Sequence, residues 1–280
     1  MEIRRFFVLS LLFIFFILVN GCSTTPPVLY GSIELNSTPA GARVYLDGSD
    51  TGQATPITLT NITPGNHSIM LDLFHYQIWE DSSVQVLAGE TTYLNPLLTY
   101  ADEVSLDLQP GGEGKDASVE THLPDNNYGT LSYGAVGYLT TNKLRAYFQF
   151  DLSSIPMNAV VVEAKLKIYQ YLTYGTENFL IGVYPVTDSW DENTITWNLQ
   201  PASSSTWEAT AEVVVGTTTW QPLDIDGLVQ SWIDGSITND GLVLKDTNEV
   251  TANSQMLFYT SDYSVNVNFR PKLEMDYYIP

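Results

Sequence analysis

Aromatic residues beside polar ones are the part of this chain best suited to bind a ligand. Trp207 and Trp220 lie close to the ends of a polar stretch, residues 203–219. Exposed rings of this kind stack on the apolar faces of sugars, while neighbouring polar groups bond the hydroxyls. The alternative for any one ring is a place in the core, which we expect for Trp232. The candidate platforms are Trp207, Trp220, Tyr133, Tyr138, Tyr171 and Tyr174.

Three basic residues are candidates to contact the same ligand. Arg145, Lys165 and Lys167 lie on alternating segments and could form a local basic face despite the acidic chain. Charges are screened only beyond about 10 Å in 0.1 M salt, so such a face would act at short range. The alternative is a set of isolated charges on separate strand faces. Both interpretations stay open, and an anionic glycan is therefore not specified.

Acidic loops offer the oxygen ligands that calcium would need as a structural cofactor. Ca²⁺ takes several oxygen ligands from carboxylates, amides and carbonyls. Asp125 and Asn126 offer them in one loop, Asp224 and Asp226 in another, and Asp116 offers a further carboxylate. The same residue types also form Asx turns and helix caps. Both interpretations stay open.

Catalytic motifs are not evident in the sequence. The three histidines do not have the spacing of a His-Glu-x-x-His metal site, and there is no Gly-x-Ser-x-Gly elbow. Paired carboxylates are enough for a glycosidase, and the densest acidic group is Asp188, Asp191 and Glu192. The simpler interpretation of this group is a solvated turn between two tryptophans. We expect a protein that is not an enzyme, with a polysaccharide-active enzyme as the alternative.

The first 22 residues have the pattern of an export signal. Arg4 and Arg5 precede the apolar stretch 6–19, and Gly21 stands before Cys22. This arrangement is typical of a secretory signal, and Cys22 resembles the acylated cysteine of a bacterial lipoprotein. We expect residues 1–21 to be removed and residues 22–30 to form a tether. An uncleaved apolar anchor is the alternative.

The composition excludes some partners. The chain has 280 residues, with 11 basic and 32 acidic side chains and a net charge of −21. Such a charge repels nucleic acid, so we expect no nucleic-acid partner. The hydrophobic fraction of 44% argues against disorder. With Cys22 as the single cysteine, an internal disulfide is excluded and stability must come from packed cores.

Residues 31–99 read as a small β-sandwich. Short alternating segments are separated by turn signals such as Asp47-Gly48 and Pro64-Gly65. The segment resembles the PEGA domain, a small β-sandwich of exported proteins with no catalytic set. The resemblance is carried by Ser37-Thr38-Pro39-Ala40-Gly41-Ala42-Arg43-Val44-Tyr45-Leu46-Asp47-Gly48, by Gly52, by Thr55-Pro56 and by Pro64-Gly65-Asn66-His67.

Residues 102–280 read as a larger all-β domain. Residues 144–152, 162–168 and 273–279 each alternate apolar with polar side chains, which predicts strands with one buried face. One short helix is predicted, because Ile225, Leu228, Val229 and Trp232 share a helical face. Asp224 or Asp226 would cap its start and Gly235 would end it. The pattern predicts two packed sheets, as in a jelly roll.

This second segment resembles the DNRLRE family and the related carbohydrate-binding module family 96, which includes disaggregatase-like surface proteins. The resemblance implies a β jelly roll and, for some members, alginate binding. Its motifs are spread along the whole segment. They include Leu108-Gln109-Pro110-Gly111, Asn127-Tyr128-Gly129, Phe150-Asp151-Leu152-Ser153, Trp190-Asp191-Glu192, Val229-Gln230-Ser231-Trp232, Asn239-Asp240-Gly241 and Arg270-Pro271-Lys272-Leu273.

Together these observations predict an exported, surface-tethered, non-catalytic protein that binds extracellular or cell-wall polysaccharide. Its location would be the cell surface, with the membrane reached through a lipid on Cys22. A structural or adhesive protein of the cell envelope, which contacts proteins in place of glycans, is the alternative. Under this alternative the partner is a component of the cell envelope other than a polysaccharide.

Replacing Cys22 by Ala tests the anchor. Without the acyl chains that a lipoprotein carries on this residue, the protein should move from the membrane fraction into the medium. Immunoblots of the two fractions measure the shift, with Ser23→Ala as the matched control. Continued retention of the Cys22→Ala protein in the membrane would instead indicate an uncleaved apolar anchor.

Overall fold

The structure is a computed structural model that describes residues 29–112, 114–251 and 253–280. The signal, Cys22 and most of the predicted tether lie outside the described residues. Within the described part of the chain, no helix is both long enough and apolar enough to cross a membrane. The strands of the first domain are β1 (Gly31–Leu35), β2 (Arg43–Leu46), β3 (Ser49–Ala54), β4 (Ile57–Ile62), β5 (Gly65–Asp72), β6 (Trp79–Val86) and β7 (Thr91–Leu94).

The first domain is a sandwich of two small sheets. One sheet has the order β4-β1-β7 and the other has the order β3-β2-β5-β6. Its core includes the fully buried Ile33, Leu35 and Ile69. The predicted hairpin turn between β2 and β3 is confirmed. Asp47 and Gly48 have φ values of 49° and 74°, the positive values that a type I′ turn needs.

The second domain is built on one large curled sheet. The strand order is β14-β13-β16-β11-β10-β17-β12-β18-β8, with β9 paired to β11 and β15 paired to β12. The all-β fold predicted from the sequence is confirmed. The elements are β8 (Glu103–Leu108), β9 (Lys115–Glu120), β10 (Tyr133–Leu139), β11 (Asn142–Gln149), β12 (Val160–Gly175), β13 (Phe179–Pro185), β14 (Ala209–Val213), β15 (Thr219–Asp224), α1 (Asp226–Ile233), β16 (Leu242–Asp246), β17 (Ser254–Tyr259), a 3-10 turn (Val267–Phe269) and β18 (Lys272–Tyr278).

Two apolar clusters hold the second domain together. The main core lies between the layers of the curled sheet and includes Phe148, Leu166 and Phe258. A smaller cluster lies on the other face of β11, where Tyr147 packs in one cluster with Ile195 of the loop 187–208. β11 is therefore covered on both faces, and side chains that point to either face of this strand are buried.

The short helix forms where the sequence predicted it. Leu228, Val229 and Trp232 are buried against the sheet. Gly235 follows the helix with a φ of 75°, as the predicted stop signal requires. The predicted acidic cap is wrong, because Ile225 occupies the capping position and makes no side-chain bond there. Asp226 Oδ1 instead accepts the Ala164 backbone N–H at 2.6 Å, which joins the helix to β12.

An aromatic cluster joins the two domains. The His75 ring of the first domain stacks on Tyr100 and on Tyr278 of β18, at centroid distances of 5.8 and 5.6 Å. Phe74 meets Tyr278 edge-on at 5.8 Å. His75 Nδ1 also lies 2.8 Å from a carboxylate oxygen of Glu103. These contacts connect residues of the first domain with Glu103 and Tyr278 of the second.

Replacing Phe148 by Ala tests the main core. The ring is 2% exposed and lies 5.5 Å from Phe258, so its loss leaves a cavity between the layers. We expect the free energy of unfolding to fall by about 3–5 kcal/mol. Urea unfolding followed by tryptophan fluorescence measures it. Val265→Ala is the control, since that side chain is 84% exposed and should change the free energy very little. Equal effects of the two substitutions would contradict this packing.

Candidate functional site

Aromatic rings from three strands and one loop form a continuous strip on the outside of the second domain. The rings of Tyr169 and Phe269 stack at 4.1 Å, and those of Tyr171 and Tyr259 stack at 4.4 Å. Each ring therefore contacts at least one other ring of the strip. We call it the aromatic strip, and its members are Trp220, Tyr169, Tyr171, Tyr259, Tyr263 and Phe269.

The alternation of β12 places the strip on the outer face. Leu166 and Ile168 are buried in the core, whereas Tyr169 and Tyr171 point the other way and are half-buried. Trp220 of β15 is the direct partner of Tyr169 across the ladder, with ring centroids 5.3 Å apart. Cross-strand partners share a face of the sheet, which brings Trp220 beside the tyrosines.

The hydroxyls of Tyr171 and Tyr259 in the strip are neutral at physiological pH, because the pKa of each is raised. The pKa of Tyr259 is raised to about 12, mainly by a hydrogen bond with Tyr263 and to a smaller extent by burial. Burial raises the pKa of Tyr171 as well, and the nearby phenols of Tyr133 and Tyr174 add to that effect. Protonated hydroxyls both donate and accept hydrogen bonds, so those of Tyr171 and Tyr259 can bond the hydroxyls of a ligand.

A groove of about 450 Å³ continues from the strip along β10 and β17. Tyr133 stands at its border, 50% exposed, and is the ladder partner of Tyr259. Among the described residues that line the groove, Glu120 is the one with a carboxylate, which accepts hydrogen bonds from the Tyr128 hydroxyl and the Asn142 amide. Strip and groove together therefore offer a row of aromatic side chains followed by a polar trough.

Four of the predicted platforms fall on this surface. Trp220 and Tyr171 belong to the strip, and Tyr133 and Tyr174 lie at its edge. Tyr138 is half-buried near the other end of β10, opposite Lys143 in the ladder.

The structure places Trp207 elsewhere. Its side chain is 54% exposed and meets Tyr184 of β13 edge-on at 6.3 Å. Lys245 Nζ lies 3.9 Å from the centre of the same Tyr184 ring and donates to Ser203 Oγ at 3.0 Å. Trp207 is thus an isolated exposed ring beside β13, without a stacked neighbour of the strip.

The three predicted basic residues are not brought together. Arg145 forms a two-pronged pair with Glu249, with both N–O distances at 2.6 Å, and lies 4.5 Å from the Trp197 ring centre. Lys167 pairs with Glu274 at 2.8 Å, and two strands separate its strand β12 from β11. Lys165, on the same face of β12, pairs with Glu163. Each charge is therefore neutralised locally.

The predicted calcium ligands also lie apart. Asp125 Oδ1 accepts the Asn198 amide at 2.8 Å, beside Asn126 in its loop. Asp224 faces Lys165 at 3.9 Å near the start of α1. Among the described residues, no three acidic, histidine or cysteine side chains are grouped as a metal site requires. These residues do not form a common calcium cage, and calcium binding stays a prediction.

Asp116 anchors the loop that carries Tyr263. Its buried carboxylate accepts the Ser261 backbone N–H at 2.8 Å, and its own N–H donates to Glu192 at 2.9 Å. Burial raises the pKa of Asp116 to about 7, and it also raises the pKa of Glu192 and of Asp262. The loop is therefore held from beneath by a carboxyl group that resists ionisation.

Some members of the strip were not predicted from the sequence. Tyr169 and Tyr259 each lie between two buried residues. The alternation of side chains along their strands could therefore have predicted that both rings face outward. Tyr263 and Phe269 lie in the loop between β17 and β18, where no periodicity applies. Their place became evident only from the folded chain.

Replacing Asp116 by Asn tests the anchor through its pH dependence. The folded-state pKa of about 7 lies above the ordinary 3.8, so folding favours the protonated acid. This group therefore costs stability progressively as pH rises from about 4 to about 7. Asn keeps an acceptor for Ser261 N–H but does not titrate, so the variant should lose part of that slope. Urea unfolding across this pH range measures it, and identical slopes for both proteins would refute the assignment.

Known families and proteins match the two domains separately. The PEGA domain matches residues 30–100, and carbohydrate-binding module family 96 matches residues 112–276. Part of the chain is 30% identical, over 142 residues, to the tRNA3(Ser)-specific nuclease WapA of Bacillus spizizenii, and 29% identical to the tRNA nuclease WapA of Bacillus subtilis strain 168. Each match covers 50% of this chain but only 6% of the relative.

Solved structures show only distant likeness. Infectious bursal disease virus Gt strain aligns with 89% of this chain and 60% of the viral one, at a TM-score of 0.19 and 8% identity. The VP2 subviral particle of the same virus aligns with 90% and 62%, at a TM-score of 0.20 and 8% identity. The family matches, which follow the order of the two β domains, are more informative. The chain therefore belongs to carbohydrate-binding module family 96, preceded by a PEGA domain.

Proposed function

We propose that this protein is exported, tethered at the cell surface and non-catalytic, and that it holds polysaccharide on the aromatic strip. The observation that carries the proposal is a row of mutually stacked rings on the outer face of a domain of a carbohydrate-binding family. Side chains that only fill a core would lie on the inner face with Leu166 and Ile168.

The geometry of the strip suits an extended sugar chain. The ring contacts run from Trp220 through Tyr169 and Tyr259 to Tyr171, with neighbouring centroids 4.4–6.2 Å apart. The groove beside Tyr133 prolongs this surface with hydrogen-bonding groups. A shallow, elongated platform of this kind holds several units of a polymer, whereas a small ligand needs a deeper pocket.

The tether and the first domain would position the strip outside the cell. The sequence of residues 1–22 supports export and acylation at Cys22. The cluster around His75 and Tyr278 joins the first domain directly to the second. The first domain would then act as a spacer that keeps the strip away from the membrane.

Nuclease activity forms no part of this proposal. The segment shared with the WapA nucleases spans 6% of their length, so their printed activity is not carried over. The net charge of −21 opposes the approach of a phosphate backbone. Polysaccharide binding needs neither a nucleophile nor a basic surface, and it is consistent with the charges of this chain.

Single substitutions in the strip test the proposal. Tyr171→Ala and Trp220→Ala each remove one platform ring and should weaken binding by about tenfold, or 1.4 kcal/mol. Affinity electrophoresis in gels that contain laminarin, glucomannan, galactomannan, alginate or polygalacturonate measures the retention. Trp207→Ala, which removes an exposed ring elsewhere, is the matched control and should migrate as the wild type does.

Two outcomes would contradict the proposal. If retention is lost in Trp207→Ala but kept in both strip variants, the binding site lies beside Trp207 and β13 and not on the strip. A wild-type protein that none of the polymers retards would favour the structural or adhesive role in the envelope.

A further inference from the structure

We infer that the groove beside the aromatic strip is a subsite for an acetyl substituent, so that the polysaccharide held there is an acetylated one. This inference rests on the proposed function and names the substrate class of the same site. It concerns the substituent alone and applies equally to a neutral and to a uronate backbone.

The register of β10 and β17 places the groove directly beside the strip. Tyr133 of β10 pairs with Tyr259 of the strip, and two residues along the same ladder Ala135 pairs with Leu257. Residues two apart in a strand share a face of the sheet. Ala135 and Leu257 are both half-buried, and both line the groove. A sugar chain that lies on Tyr259 can therefore extend onto the groove with its next unit.

Much of the groove lining is apolar. The apolar side chains that line it include Leu131, Ala135, Leu139, Leu144 and Leu257. A sugar hydroxyl placed against these side chains would lose its hydrogen bonds with water and gain no partner. A methyl group gains free energy when it leaves water for the same surface. The lining therefore favours a sugar that carries a methyl-bearing substituent over an unsubstituted one.

The polar groups of the groove suit the rest of an acetylated sugar. Glu120 accepts the Tyr128 hydroxyl at one carboxylate oxygen and the Asn142 amide at the other. Each of these oxygens can accept a second hydrogen bond, from a sugar hydroxyl or from the N–H of an acetamido group. Asn142 Nδ2 carries a second hydrogen, which can bond an acetyl carbonyl. Methyl, carbonyl and hydrogen-bond donor of the ligand thus each find a counterpart.

His122 also lines the groove. Its side chain is exposed, and its Nε2 lies 3.3 Å from Thr141 Oγ1. Either ring nitrogen can donate or accept a hydrogen bond, according to the tautomer. An acetyl group carries no charge, so its recognition does not depend on the balance of charge between Glu120 and His122. The inference therefore rests on the shape and polarity of the groove.

The test compares polymers that differ only in acetylation. The chain that begins at Cys22 is run in affinity gels containing acetylated glucomannan or acetylated alginate, and in gels containing the same polymers after alkaline removal of their acetyl esters. Glycol chitin and hydroxyethyl cellulose form a third pair, which tests an N-acetyl group on one backbone. We expect at least one acetylated polymer to retain the protein at least about tenfold more strongly than its unacetylated counterpart.

A polar substitution in the lining makes the same test within the protein. Leu257→Asn places an amide on the apolar lining, so the preference for the acetylated polymer should fall to about twofold or less, with retention by the unacetylated polymer unchanged. Leu139→Asn repeats the test on β10, so that a folding defect of one variant does not decide it. Leu180→Asn is the matched control, because Leu180 is 47% exposed on β13, which β16 and β11 separate from β10.

Each result of these experiments supports or overturns a specific claim. Equal retention by the acetylated and unacetylated forms, lost in Tyr171→Ala, would overturn this inference and leave the strip as the binding site. An acetyl preference that both groove variants keep would also overturn it, because the acetyl group would then bind elsewhere. A protein retained by no polymer at all would overturn the proposed function itself. A preference that only the groove variants lose supports the inference.

Discussion

The alternation of side chains along β12 is the constraint on which both the core and the candidate site depend. This strand is 16 residues long and pairs with β15, β17 and β18. Leu166 and Ile168 fill the core from one face, while Tyr169 and Tyr171 project from the other. Because successive side chains point to opposite faces, the burial of Ile168 in the core places its neighbour Tyr169 on the outer face. The core and the candidate site thus share one strand.

A buried carboxyl group extends this arrangement to the loop after β17. Asp116 holds Ser261, and the loop that follows places Tyr263 on Tyr259 with ring centroids 3.7 Å apart. A buried carboxyl group is costly when ionised, and its raised pKa expresses that cost. Ionisation of this buried group therefore lowers the stability of the domain near neutral pH, while its hydrogen bond to Ser261 holds the loop in a defined position. Rigid platforms bind extended ligands with a smaller loss of entropy than mobile loops do.

The sequence predicted most of the fold but only part of the site. Period-two patterns located the strands, and the turn at Asp47-Gly48 and the helix face of Trp232 followed from local rules. Contacts between distant residues had no local signal. Arg145 pairs with Glu249, 104 residues away, which removed it from any basic face. Trp207 and Trp220 have similar polar surroundings in the sequence. Only the pairing of β15 with β12 shows that Trp220 belongs to the strip and Trp207 does not.

A residue-resolved titration tests the central claim most directly. Protein labelled with ¹³C in its tyrosine rings is titrated with laminarihexaose, mannohexaose and cellohexaose, and the ring signals are followed by NMR. If a glycan binds the strip, the signals of Tyr171 in the strip and of Tyr133 and Tyr174 at its edge should shift together with one saturation curve. Shifts confined to Tyr184, beside Trp207, with unchanged strip signals would contradict the account.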